Sequence, residues 1–95
     1  MFVVSLSYRT SIGEVEAHIS PHRDFLDRYY AAGIFLASGG KTPRTGGVIL
    51  ANGKVSREEL DTILAEDPFH IHGIAEYEVI EFKPTKYAPE LADFL

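Results

Sequence analysis

Apolar and polar residues alternate at the start of the chain, with Phe2, Val4, Leu6 and Tyr8 on one side and Val3, Ser5, Ser7 and Arg9 on the other. A period of two predicts a strand with one strongly apolar face. From Thr10 to Ile19 the pattern is polar and broken by Gly13, and predicts at most a helical turn around Glu14 to His18. Ser20-Pro21 then reads as an N-cap followed by proline at the first helical position, where its missing N–H costs nothing. His22, Phe25, Leu26 and Tyr29 fall on one stripe of a helix running from Pro21 to about Ala32. Gly33 ends it in the left-handed conformation.

Ile34 to Ser38 is a short apolar run that predicts a second strand, which the chain leaves through Gly39-Gly40. A loop from Lys41 to Gly46 leads to a third strand, Gly47 to Ala51, closed by a turn at Asn52-Gly53. Ser56 with Glu59 forms a capping box that opens a second helix, about Arg57 to Glu66. Leu60, Ile63 and Leu64 mark its inner stripe. Asp67 stands seven, four and three residues beyond them, so the last helical turn would aim it at the core, while Pro68 stops the helix. The last strand, Ile74 to Phe82, turns Ala75, Tyr77 and Val79 to one face and Glu76 and Glu78 to the other. Its apolar positions then switch to Ile80 and Phe82, which predicts a bulge or a second buried surface.

The order β-α-β-β-α-β defines an α+β, ferredoxin-like arrangement: an antiparallel four-stranded sheet with two helices on one face. A sheet covered on one side only, with apolar residues on both faces, predicts a homodimer that closes sheet against sheet. Connectivity also places the start of the first helix, the end of the second strand, the end of the second helix and the start of the last strand at one end of the fold. His22, Ser38-Gly39, Asp67 and Gly73 occupy those places, so two inward-facing polar groups, His22 and Asp67, are expected to meet.

Ninety-five residues with 45% apolar side chains support one small domain over residues 1–95, whose tail, 83–95, is expected to pack on the body or on a partner subunit. There is no cysteine, which removes disulfides, thiolate metal sites and thiol nucleophiles and makes the cytoplasm the expected compartment. The N-terminus lacks the pattern of a signal peptide, and no apolar run reaches membrane-spanning length. The net charge of −5 is uneven: residues 1–50 hold five basic and four acidic groups, residues 51–95 four and ten. Such a chain repels phosphate backbones, so no nucleic acid is expected as a partner. The arginines of the first half remain able to attract one small anion.

His22 at a helix start feels the positive end of the helix dipole, which opposes protonation, while a nearby carboxylate favours it. A residue so balanced suits general acid–base work with Asp67 fixing its tautomer; the competing possibility is that Asp67 only caps backbone donors around Pro68 and His22 is a partly buried polar residue. His18 and His22 share the i, i+4 spacing of zinc ligands, but Ser20-Pro21 intervenes, and no metal is expected. Gly39-Gly40-Lys41-Thr42 imitates the end of a phosphate-binding loop without its earlier glycine or following helix. Ser38 lacks the strained turn of a nucleophilic serine and fits a hydrogen bond at a pocket rim. Phe69, beside Asp67, is the best aromatic pocket candidate.

His22 with Phe25, Leu26 and Gly33, then Ser38-Gly39, then Asp67-Pro68-Phe69 and Gly73, resembles a YCII-related (YciI-like) domain over about residues 2 to 82. The chain departs from that pattern at Ile19, where the family commonly has arginine, and at Gly40-Lys41, where a proline often follows the second strand. The resemblance implies a dimeric α/β barrel whose pocket holds a His–Asp pair, with elimination or dehalogenation of small aromatic metabolites among the family's few assigned reactions. The expectation is therefore an enzyme that needs no cofactor, with His22 and Asp67 catalytic and Ser38, Gly39 and Phe69 lining the pocket for a small-molecule substrate. The alternative is a dimeric module that binds a metabolite without turning it over.

Overall fold

A computed structural model describes residues 1–95. The chain forms β1 (Phe2–Tyr8), α1 (Ile12–Ala17), α2 (Ile19–Ala31), β2 (Phe35–Gly40), β3 (Gly46–Ala51), α3 (Arg57–Leu64), α4 (Pro68–Ile71) and β4 (Ala75–Glu81), then a 3₁₀ turn over Pro89–Phe94. The strands make one antiparallel sheet in the order β2-β3-β1-β4, with the helices on one face, which is the ferredoxin-like fold.

The core lies between that face and the helices. Phe2, Val4 and Leu6 of β1, Ile49 and Ala51 of β3, and Ala75 of β4 are buried from the sheet side; Phe25, Leu60, Ile63 and Leu64 close over them. Alternation along β1 thus sorts the side chains as a period of two requires. The register of β1 with β4 runs unbroken from Phe2 against Glu81 to Tyr8 against Ala75. The apolar switch at Ile80 is therefore no bulge: Ile80 stays in register opposite Val3 on the uncovered face, where it is exposed. The sheet's one irregularity falls in β2, between Phe35 and Ala37.

Two helix starts differ from expectation. The polar stretch before α2 forms a complete short helix, α1, capped by Ser11 on the Glu14 N–H and anchored in the core by Val15. Its end leaves His18, not Ser20, as the N-cap of α2. Pro21 is still in the first turn, whose N–H groups have no helical partner, so the proline is tolerated for the reason anticipated, two positions later. At the other end Gly33 adopts φ 75°, and the Gly33 and Ile34 N–H groups donate to the Tyr30 and Tyr29 carbonyls, a Schellman closure. The capping box of Ser56 and Glu59 is complete. Gly39 and Gly40 do not release the chain from β2 but extend it, paired with Val48 and Gly47. Beyond β4 no residue of the 3₁₀ turn is fully buried. No helix is long and apolar enough to cross a membrane.

Candidate active site

Pro68 ends α3 early and begins α4, because a proline serves at the first position of a helix and not inside one. Asp67 is consequently not in the last turn of α3 but is the N-cap of α4, with extended backbone at φ −65°, ψ 125°, its Oδ1 accepting the Phe69 N–H at 2.9 Å. The carboxylate points inward all the same and is fully buried. His22, in the first turn of α2, donates from Nδ1 to the same Oδ1 at 2.7 Å. The Tyr77 hydroxyl, from the inward face of β4, donates to Oδ2 at 2.5 Å. A carboxylate has only acceptors, and three donors from three elements compensate for its removal from water. Asp67 thus does both things weighed for it: it caps the backbone beside Pro68 and it holds His22.

Tyr77 was not among the residues expected at the site, although a tyrosine on the apolar face of a strand carries a hydroxyl that needs an internal partner. Burial, then the Asp67 charge, then the hydrogen bond hold its ionisation far above the ordinary tyrosine value.

The His22 ring stacks on Phe69, 3.9 Å between centroids and 3° from parallel, and its side chain is 12% exposed. Because Nδ1–H is committed to Asp67, Nε2 carries the lone pair of the neutral ring. Nε2 has no partner within the protein, and no buried side-chain nitrogen or oxygen lacks one, so Nε2 is open to what enters from outside. His22 and Phe69 line a cavity of about 560 Å³ between α2 and the β2–β3 side of the sheet, with Leu6, Leu26 and Ile49 among its apolar walls. Ser38 and Gly39 line the same cavity, so all five residues expected at the site lie on it or in its hydrogen-bonded support. The Ser38 hydroxyl is bonded to the Tyr30 hydroxyl at 2.6 Å. Arg23 and Arg44, which the sequence reading did not single out, also line it.

The remaining histidines stand elsewhere. His18 bonds the Glu14 carbonyl and lies 4.5 Å, ring to ring, from His72, while His70 sits edge-on to Tyr77. No three histidine or acidic side chains converge in a way that could hold a metal ion.

The site thus joins a buried carboxylate that holds one nitrogen of a histidine to a cavity that the same histidine lines. Residues 1–83 match the model of the YCII-related domain, and the chain belongs to that family. No curated protein matches the sequence. Among solved structures the fold is similar to 5-chloro-2-hydroxyhydroquinone dehydrochlorinase (TftG) from Burkholderia phenoliruptrix AC1100, in complex with 2,5-dihydroxybenzoquinone. The two share 18% identity over 86% of this chain and 92% of that one, with a TM-score of 0.72.

Proposed function

We propose that this protein is a small-molecule enzyme in which His22 is the general base and acid and Asp67 fixes its tautomer and stabilises the imidazolium. The observation that carries this reading is the commitment of Nδ1 to a fully buried carboxylate while Nε2 stays free at a cavity. The reaction class is a lyase-type elimination on a hydroxylated ring, supported by the dehydrochlorinase activity of the structural neighbour and the benzoquinone it binds. Nε2 takes a proton from the substrate, the electron pair left behind forms the new double bond, and the halide departs, so that the net loss is one hydrogen halide. Phe69, flat against the imidazole, keeps the ring presented to the cavity.

Chloride release from 5-chloro-2-hydroxyhydroquinone and related chlorinated hydroquinones tests this. His22→Gln should lower the rate by about 10²- to 10⁴-fold, with the fold intact by circular dichroism. Turnover unchanged in His22→Gln and Asp67→Asn contradicts it. Stabilisation by 2,5-dihydroxybenzoquinone without turnover of any substrate supports a binding module instead.

The same reading takes the working unit to be a homodimer closed through the bare sheet face. Its support is the row formed by Val3, Leu50 and Ile80, aligned across three strands, beside exposed Val48 and Phe82. Exposed Leu91, Phe94 and Leu95 of the tail fit a role against the partner subunit. Sedimentation equilibrium should give a dimer for the wild type and a monomer for Val48→Glu/Ile80→Glu.

A further inference from the structure

The cavity's charge is at odds with the chain's. The protein as a whole is acidic, at −5, yet no aspartate or glutamate lines the cavity; its ionisable lining beyond His22 and Tyr8 is Arg23 and Arg44. Arg23 enters none of the protein's ion pairs, and so keeps its donors for something else. Arg44 is held from the side by Glu16 of α1, through a single Nη1 to Oε1 contact at 3.2 Å, with both side chains about half exposed. Tyr8 also interacts with this guanidinium, so part of its five-donor fork is engaged and the charge is partly offset by Glu16.

The floor below them is bare. Gly40 and Gly47 pair across β2 and β3, in register with Leu6 on the face toward the helices. A Cβ on Gly40 would meet nothing nearer than the Gly46 carbonyl at 3.9 Å, so the space above it is open. Apolar walls, a glycine floor and two cations at the rim describe a slot for a flat, largely apolar molecule bearing a negative group.

We infer that Arg23 and Arg44 form an anion subsite of this cavity, that its ligands are small aromatic anions, and that Glu16 sets the affinity by competing with the ligand for Arg44. This rests on the cavity being the substrate site, and deepens that reading by naming the charge and shape of what enters. Glu16 and Arg44 then act in opposite directions on the same ligand. Carboxylate removal leaves Arg44 more available; guanidinium removal takes away both the subsite and Glu16's means of influence.

The test is calorimetric titration of the full chain with benzoate and with benzamide, its neutral isostere, in low salt. Benzoate should bind at least several-fold more tightly than benzamide. Arg44→Gln and Arg23→Gln should each weaken benzoate by about 10-fold and leave benzamide unchanged. Glu16→Gln should tighten benzoate by about 3-fold, and the same change made in Arg44→Gln should have no effect, because the coupling runs through that guanidinium. Gly40→Val, filling the floor without touching a charge, should weaken both probes.

Equal affinity for the two probes, or no benzoate binding at millimolar concentration, overturns the inference. So does a tightening by Glu16→Gln that persists without Arg44. None of these measurements depends on turnover: a failed anion subsite leaves the His22 rate effects standing, and a failed His22 assignment leaves the benzoate preference standing.

Discussion

Tyr77→Phe isolates one bond of the site and has a magnitude that can be worked from the structure. The substitution removes a hydroxyl and nothing else, so it leaves no cavity large enough to matter. What it exposes is Oδ2 of Asp67, a carboxylate oxygen in a fully buried residue whose only side-chain donor is that hydroxyl at 2.5 Å. A buried charged acceptor left without a partner costs about 2–3 kcal/mol. A domain of this length has a total stability on the order of 5–14 kcal/mol, so one oxygen atom removes a substantial part of it. Urea unfolding reads this directly: with a slope of about 1 kcal/mol per molar, the midpoint should fall by about 2–3 M. Tyr29→Phe is the internal control. Its hydroxyl also donates to a carboxylate, Glu66 at 2.6 Å, but that pair is exposed, and exposed pairs of this kind contribute about 0.2–1 kcal/mol. Equal losses in the two variants, or a loss below about 0.5 kcal/mol in Tyr77→Phe, would refute the claim that burial of Asp67 makes its donors matter.

Other consequences can be checked with less effort. Gly46→Ala should abolish folding or cost well over about 3 kcal/mol, because the added Cβ would lie 1.8 Å from the Leu6 carbonyl oxygen of the adjoining strand, and expression as soluble protein reports it. Ser56→Ala should cost about 1 kcal/mol by opening the capping box of α3, seen as a lower midpoint with an unchanged slope. Tyr77 should stay protonated in alkaline solution well above the ordinary tyrosine value, as followed by tyrosinate absorbance in the wild type against Tyr77→Phe. Because its folded value is raised above the ordinary value of 10.0, the stability it contributes is fully present below that pH. Above it, stability falls by about 1.4 kcal/mol per pH unit.

The strands and the longer helices could be read from the chain because each rests on a local rule: alternation in β1, the capping box before α3, the glycine after α2. The meeting of His22 with Asp67 was legible too, since connectivity alone brings a helix start and a helix end to the same edge of the core. What escaped was decided by tertiary packing. The segment before α2 looks polar, and a single buried valine, Val15, with a serine cap is enough to make it helical against the body. Asp67 was expected to end one helix and instead begins another, because Pro68 fits the first position of α4 as well as it breaks α3. Tyr77 was hidden by its strand: alternation identified it as inward but not what its hydroxyl would reach across the core. Arg23 and Arg44, distant in sequence and on a helix and a loop, come to one cavity only through the fold.

The proposed chemistry depends on which nitrogen of His22 carries the proton. Long-range ¹H–¹⁵N spectra of the neutral ring, recorded at about pH 8.5 where an ordinary imidazole is uncharged, distinguish the two tautomers. The geometry predicts Nδ1–H with a bare Nε2 in the wild type, and a shift toward Nε2–H, the form free imidazole side chains prefer in water, in Asp67→Asn. Nε2–H in the wild type, or the same tautomer mixture in both proteins, would mean that Asp67 does not hold His22 for proton transfer, and the proposed mechanism would fall with it.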